Sequence, residues 1–204
     1  MPAPLAATLR PGFADPVFDA QAAFRAAMSA LAEPGTIRSL AGLDHAPAPL
    51  GSIAAALILA LADYETPLWR DALLATPEID AWLRFHTGAP FSDAPDAAAF
   101  ALVSGAEALG DLDRFSHGSD LAPEASTTVI LTVAGFGADT GGVAFRLAGP
   151  GIDGTRDVTI AGAPVDLAER RAADLALYPR GLDLLLAGPN AVLGLPRTTR
   201  IERI

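Results

Sequence analysis

The sequence predicts a single α/β domain with a mixed sheet flanked by helices on both faces. Helical patterns dominate the first half of the chain, and strand patterns dominate the second half, where helices are interleaved. The chain has 204 residues, of which 51% are hydrophobic and 19% are charged, a globular composition. Domains average about 150 residues, and no repeat or low-complexity linker divides this chain, so residues 1–204 should form one domain.

The first predicted helix covers residues 20–32. Asp19 is a residue type that caps helices, and Phe24, Met28 and Leu31 recur at helical spacing on one stripe. We therefore expect Asp19 to be the N-cap and the three apolar side chains to share one face of the helix.

Two more helices are predicted in the first half of the chain. Ser52 precedes residues 53–62, which are apolar all round the helix, so most sides of this helix should be buried. The segment Thr76-Pro77-Glu78 combines a capping hydroxyl, a proline at the first helical position and an acid in the first turn. These signals predict a helix that ends before Gly88.

The strand patterns become stronger in the second half. Residues 127–133 (TTVILTV) are rich in β-branched side chains, which predicts a central strand buried on both faces. A polar loop is expected at residues 110–124, and a helix is expected from Asp166 to about residue 177. The other extended segments are predicted at residues 36–40, 99–103, 143–147, 158–160, 182–186, 191–195 and 198–203.

The absence of two residue types limits the chemistry. The chain has no cysteine, which excludes disulfides, thiolate metal sites and thiol nucleophiles. It has no lysine, so all 14 basic residues are arginine, and the lysine aldimine of pyridoxal phosphate enzymes cannot form. The formal net charge of −10 repels nucleic acid and anionic membranes, and we expect neither as a partner.

No targeting segment or membrane span is expected. Residues 1–7 lack a basic start followed by a long apolar run. The longest apolar run, residues 53–62, is too short for a membrane helix, which needs about 20 residues. We therefore expect a cytoplasmic protein.

Two local patterns have a structural and a functional interpretation. Residues 149–154 spell G-x-G-x-x-G, but residues 156–160 after them have a strand pattern, whereas a dinucleotide loop must open a helix. A turn between two strands is the favoured interpretation. The three histidines, His45, His86 and His117, are not spaced as a pair on one helix face, so no metal site and no cofactor are expected.

The candidate anion-binding residues in the first half lie near helix ends. Arg84 and His86 end the third predicted helix, where cations offset the helix dipole or together contact an anion or a sugar. Asp63, Glu65 and Thr66 follow the apolar helix. They either terminate it or orient a hydroxyl group and accept an arginine from a partner.

A further candidate site lies near the C-terminus. Arg197, with the hydroxyls of Thr198 and Thr199, can chelate a phosphate. The structural alternative is a solvated edge strand that carries charge against aggregation. There is no G-x-S-x-G sequence, so serine hydrolase chemistry has no local support.

Seven ordered segments together resemble one family, the PhnH subunit of the bacterial carbon–phosphorus lyase system. They run in order from near residue 12 to the C-terminus and cover nearly the whole chain. The matching stretches are Asp19-Ala20-Gln21 with Phe24-Arg25 and Glu33-Pro34-Gly35; Leu61-Ala62-Asp63 with Thr66-Pro67 and Trp69; Leu83-Arg84-Phe85-His86-Thr87 with Ala89-Pro90; Ala122-Pro123-Glu124-Ala125; residues 149–152; Gly181 with Asp183-Leu184; and Pro196-Arg197-Thr198-Thr199.

The resemblance implies a three-layer sandwich like that of pyridoxal-phosphate transferases, without the cofactor site. It implies a subunit that works beside PhnG, PhnI and PhnJ and, with PhnL, couples a phosphonate to the ribose of ATP with loss of adenine. The radical chemistry that later breaks the C–P bond would belong to PhnJ, whose iron–sulfur cluster needs cysteines. Members of the family form homodimers alone and bind PhnJ in the complex.

The leading hypothesis is therefore a non-radical accessory subunit with no catalytic residues of its own. Arg84, His86 and Arg197, with Thr198, would hold phosphate or phosphonate oxygens, and Glu124 would orient them or bind ribose hydroxyls. One alternative is an autonomous enzyme that acts on a small phosphoester through the same residues. Another is a pure scaffold with no ligand.

Overall fold

The computed structural model describes residues 12–204 and contains a six-stranded mixed sheet at its centre. The strands from β8 to β2 are parallel to one another, and β9 is antiparallel to both of its neighbours, so the predicted mixed sheet is confirmed. Its strands, in spatial order, are β1 (Arg38–Ser39), β9 (Ala191–Leu195), β8 (Asp183–Ala187), β4 (Thr128–Thr132), β3 (Phe100–Val103) and β2 (Leu68–Arg70).

A second sheet of four antiparallel strands packs against the first, which the sequence did not predict. Apolar side chains such as Phe145 and Ile160 point into the shared core, while Arg146 and Asp157 lie on the outer side. Three segments expected in a single mixed sheet therefore belong to a separate one. Its strands, in spatial order, are β10 (Arg200–Arg203), β6 (Val143–Ala148), β7 (Arg156–Ala161) and β5 (Gly135–Phe136).

Helices cover both faces of the central sheet, but unequally. The first three pack on one face, and the last two share the other face with the second sheet. In the part of the chain that the structure describes, no helix is both long and apolar enough to cross a membrane. The helices are α1 (Pro16–Ala32), α2 (Ser52–Leu61), α3 (Pro77–Thr87), α4 (Ala106–Leu109) and α5 (Leu167–Leu175).

Two hydrophobic cores lie on the two faces of the central sheet. Along β4, Ile130 faces the core under α1, α2 and α3, while Val129 and Leu131 face the core shared with the second sheet. Because alternate side chains are buried on opposite faces, the whole strand must be apolar. The prediction of a doubly buried central strand is confirmed.

Helix α1 begins earlier than predicted and packs through its small residues. Asp15 is the N-cap, since its carboxylate accepts hydrogen bonds from the N–H groups of Val17 and Phe18, and Asp19 lies inside the helix. The buried face consists of alanines, which let the helix backbone approach the sheet. A Cβ atom added at Gly194 of β9 would lie only 2.4 Å from the carbonyl oxygen of Ala30. Phe24 and Met28 therefore face outward, whereas Leu31, predicted on the same stripe, packs partly buried against the first core.

The structure confirms one predicted loop and corrects another. The glycine-rich residues 149–154 connect β6 to β7, so the predicted turn between strands is confirmed. Residues 110–124 contain two 3₁₀ turns, and they are less polar than predicted because Leu112 and Phe115 are buried in the second core. The ring of Phe115 packs edge-on against Trp69 at a centroid distance of 5.8 Å.

Candidate functional site

Arg84 and His86 lie in the last turn of α3, as the sequence predicted. Arg84 is exposed, and its guanidinium carbon lies 4.7 Å from the ring centroid of Phe91. The half-buried ring of His86 lies 4.6 Å from Trp82 and 5.0 Å from Phe85, measured between centroids. Aromatic packing therefore fixes both side chains beside the helix end.

Arg197 lies in the turn between β9 and β10, and not on an exposed edge strand. Its Nη1 donates to the carbonyl oxygen of Pro123 at 2.6 Å, and its Nη2 donates to Ser126 Oγ at 2.8 Å. The guanidinium also forms a fork with Asp183, at 3.3 Å from Nε and 2.6 Å from Nη2. These bonds use four of its five N–H groups, so Arg197 itself is not a solvated charge. The chain beyond it does form an edge strand with exposed charged residues, since β10 lies at the edge of the second sheet.

The five candidate residues form two groups at the same edge of the central sheet. Glu124 is exposed in the turn that accepts the Arg197 hydrogen bond, and Thr198 is half-buried beside Arg197. Arg84 and His86 lie near the amino end of β2, three strand positions from β8. Adjacent strands are about 4.8 Å apart, so the axes of β2 and β8 are about 14 Å apart. The structure does not bring all five side chains into one site.

A buried polar cluster next to Arg197 was not predicted. Arg171 of α5 is only 1% exposed and forms an ion pair with Asp174, which is 2% exposed. Arg171 also donates to the carbonyl oxygens of Leu182 and Pro196, both at 2.8 Å. His117 places Nε2 3.3 Å from Asp174 Oδ1. The cluster ties α5 to the start of β8 and to the turn that carries Arg197.

Burial governs the protonation of this cluster. Burial raises the pKa of Asp174 above its ordinary value, against the attraction of Arg171 and His117. Burial also lowers the pKa of Arg171, although Asp174 opposes this change. The sequence carried one signal for the pair: both residues fall on the buried stripe of α5 with Leu167 and Ala168.

No metal centre accompanies these groups. Among residues 12–204, no group of three or more His, Cys, Asp or Glu side chains has the geometry to hold a metal ion. His117 has two carboxylates near it, Asp174 and the more distant Asp113, whose Oδ1 lies 4.0 Å from Nε2. The two carboxylates lie beside the same nitrogen of the imidazole.

The outer face of α1 exposes four large apolar side chains. The exposed fractions are 73% for Val17, 69% for Phe18 and 48% each for Phe24 and Met28. Arg25 lies on the same side and lines a groove between α1 and β1. We call these five residues the α1 surface. Exposed apolar side chains grouped on one helix indicate a contact with another macromolecule.

Comparisons with known proteins agree with the resemblance found in the sequence. The family model described as "Bacterial phosphonate metabolism protein (PhnH)" matches residues 11–202. The chain is 39% identical over 191 residues to "Alpha-D-ribose 1-methylphosphonate 5-triphosphate synthase subunit PhnH" of Rhizobium meliloti (strain 1021), covering 94% of each chain. It is 33% identical over 185 residues to "Putative C-P lyase subunit protein HtxG" of Stutzerimonas stutzeri, covering 89% of this chain and 85% of that protein.

Proposed function

Because this chain belongs to the PhnH family, we propose that it is a non-radical accessory subunit of the carbon–phosphorus lyase assembly. In this role it is required, with PhnG, PhnI and PhnL, to make α-D-ribose 1-methylphosphonate 5-triphosphate from a phosphonate and ATP. The naming of a 39% identical relative as a subunit of that synthase supports the proposal. The protein would work in the cytoplasm, where ATP is available.

The α1 surface is the observation that carries the proposal. Phe24 and Met28 are one helical turn apart, and Val17 extends the same stripe toward the start of the helix. The chain is acidic, with a net charge of −10, yet this helix presents apolar side chains to solvent. A protein that works alone has no use for such a stripe, whereas a subunit can bury it against a neighbour.

The charges beside the stripe define the kind of partner. Arg25 makes no ion pair among residues 12–204, whereas Arg38 across the groove pairs with Glu33 at 2.6 Å. A partner surface that combines apolar side chains with carboxylates would neutralise Arg25 and bury the stripe. We assign this contact to PhnJ in the complex, with PhnG and PhnI in the same assembly.

A second copy of the chain fits the same surface when the subunit is isolated. Val17, Phe24 and Met28 form an apolar stripe along most of the outer face of α1. Two α1 helices packed antiparallel about a two-fold axis would bury this stripe of one copy against the same stripe of the other. This self-complementarity supports a homodimer that gives way to the PhnJ contact in the complex.

The arrangement of the candidate residues supports a subunit over an autonomous phosphoester enzyme. An autonomous site would need Arg84, His86, Glu124, Arg197 and Thr198 together, but these residues form two groups. In addition, the hydrogen bonds of Arg197 are made within the protein. We retain anion binding as a secondary role. Arg84 and His86 would hold phosphate or phosphonate oxygens, Glu124 would orient them or bind ribose hydroxyls, and Arg197 and Thr198 would complete the second group.

Co-purification tests the subunit role directly. The chain is expressed with tagged PhnG, PhnI and PhnJ, either unchanged or as Phe24→Glu. The matched control is Val165→Glu, because Val165 is 61% exposed and precedes α5, away from α1. We expect the unchanged chain and the control to co-purify and Phe24→Glu to be lost, while circular dichroism shows all three folded.

Two results would contradict the proposal. One is a Phe24→Glu variant that co-purifies as well as the control. The other is turnover of a phosphonate and ATP by the purified chain alone, which would favour the autonomous enzyme. A chain that assembles but whose Arg84→Ala and Arg197→Ala variants still support growth on a phosphonate would be a scaffold without a ligand.

A further inference from the structure

An open cavity of 780 Å³ lies at the carboxyl ends of β3 and β4. It is on the opposite edge of the sheet from Arg197, which sits beside Asp183 at the amino end of β8. In α/β sheets, ligands bind outside the carboxyl ends of the parallel strands. The volume falls in the range of small-molecule sites, about 300–1,000 Å³. The cavity is therefore separate from the candidate residues described above.

The wall of the cavity is held rigidly by one buried carboxylate. Asp71, which follows β2, is buried and accepts hydrogen bonds from three backbone N–H groups. Its oxygens lie 2.6 Å from the nitrogen of Ser104, 2.8 Å from that of Leu73 and 3.2 Å from that of Leu74. Ser104 and Leu73 both line the cavity. Its shape is therefore set before any ligand arrives.

The polar side chains that line the cavity are available to form hydrogen bonds with a ligand. Glu107, Ser104 and Thr132 line the cavity, and among residues 12–204 their side chains make no hydrogen bond or ion pair. No arginine or histidine among the described residues lines it. A phosphate or phosphonate would therefore meet a carboxylate and no counter-charge. Hydroxyl groups, in contrast, can donate to Glu107 and exchange hydrogen bonds with the two side-chain hydroxyls.

We propose that this cavity binds an uncharged, hydroxyl-bearing ring, specifically the ribosyl group of a nucleoside. A carboxylate that accepts hydrogen bonds from ribose hydroxyls is the usual device at this edge of an α/β sheet. Leu73 and Val133 give the cavity an apolar side against which the base can pack. Within residues 12–204 no aromatic ring lines the cavity, so these residues do not offer the π face that favours an ammonium ligand.

Gly105 is a position at which a single substitution can fill the cavity. It lines the cavity in extended backbone, with φ at 170°, and a Cβ added there would meet no atom within 4 Å. A larger side chain can therefore enter the open space without displacing the protein. Gly105→Leu is expected to fill the cavity while the fold is retained.

Calorimetric titration of the purified full chain with adenosine tests the proposal. We expect adenosine to bind, with affinity about tenfold weaker for 2′-deoxyadenosine and for Glu107→Gln, because each change removes a charge-assisted hydrogen bond. Gly105→Leu should abolish binding, and inorganic phosphate should not bind. Glu78→Gln, which changes an exposed acid at the start of α3, is the control and should bind as the unchanged chain does.

The proposal is overturned if adenosine does not bind to the unchanged chain. It is also overturned if adenosine binds equally to Gly105→Leu and to Glu107→Gln, because the ligand would then lie elsewhere. Binding of phosphate at the same site would contradict the uncharged ligand class. The inference deepens the proposed function and rests on it, because ATP carries the same ribosyl group. The two fail separately, since a chain that does not assemble could still bind the nucleoside.

Discussion

Removing Arg171 from the buried cluster should be among the most destabilising single changes in this protein. Arg171→Met keeps the length of the side chain but removes the arginine partner of Asp174, a carboxylate that is 2% exposed. Breaking a buried ion pair from one side costs about 3–5 kcal/mol. The carbonyl oxygens of Leu182 and Pro196 also lose their donor, so the loss should lie toward the upper end of that range.

A double variant distinguishes the effect of the buried charge on stability from the effect of lost packing. In Arg171→Met with Asp174→Leu, no buried charge remains, so the free energy of unfolding should recover much of the loss seen in Arg171→Met alone. Urea unfolding followed by the fluorescence of Trp69 and Trp82 measures each variant. For a chain of this size, 1 kcal/mol corresponds to about 2–4 °C, so the melting temperature of Arg171→Met should fall by about 6–20 °C.

The pH dependence gives an independent test of the same cluster. Burial raises the pKa of Asp174, so the folded protein holds this proton more tightly than the unfolded chain does. The resulting contribution to stability is complete below the unfolded pKa and is lost as the pH rises through the folded pKa. Asp174→Asn should remove this dependence. The reasoning fails if Arg171→Met loses less than about 1 kcal/mol, or if the double variant is no more stable than Arg171→Met.

The remaining predictions concern a glycine pair, an exposed carboxylate and Arg197. Gly154→Ala should cost about 1–2 kcal/mol, because its φ is +69° but its Cβ would meet no atom. Gly151→Ala should cost more in the same thermal melts, since its Cβ would lie 2.2 Å from a carbonyl oxygen at the end of α1. Arg146 holds the pKa of Asp157 below its ordinary value through a side-chain hydrogen bond, so this pair stabilises the fold above the unfolded pKa. That stability is lost as the pH falls through the folded pKa, and Asp157→Asn should show no such loss in acid titrations. Arg197→Lys should lower the free energy of unfolding by about 1.5–3 kcal/mol in urea, because one ammonium group cannot replace the forked bonds to Asp183 and its neighbours.

Local signals were sufficient for the elements whose environment is determined by their own residues. The central strand at 127–133 is apolar on both sides, and the structure buries it on both sides. The start of α3 at Thr76 was predicted from its cap, and the Thr76 hydroxyl does accept a hydrogen bond from the N–H of Ile79. In both cases the deciding interactions lie within a few residues along the chain.

The orientation of α1 could not be predicted in this way. By hydrophobicity, Phe24 and Met28 are better core residues than the alanines beside them. The alanines are buried instead, because Gly194 of β9 allows the helix backbone to approach closely. That glycine lies far along the sequence. The choice of face therefore depends on a contact between distant segments.

The environment of Arg197 could not be predicted either, because it also depends on contacts between distant segments. Its hydrogen-bond partners Pro123 and Ser126 are separated from it by 74 and 71 positions. The position of Arg84 and His86 was predictable, because the end of a helix is a local feature. Whether the two groups share a site depends on strand order, which no local pattern specifies.

The strand order also imposes a sequence of events on folding. β1 lies at one edge of the central sheet and pairs with β9, which is about 150 positions further along the chain. During synthesis, α1 therefore emerges long before the strands that cover its alanine face. Pairings between such distant segments slow folding and leave apolar surface uncovered in the meantime. We expect a chain arrested before β8 to expose the face of α1 that β8 and β9 cover in the complete fold.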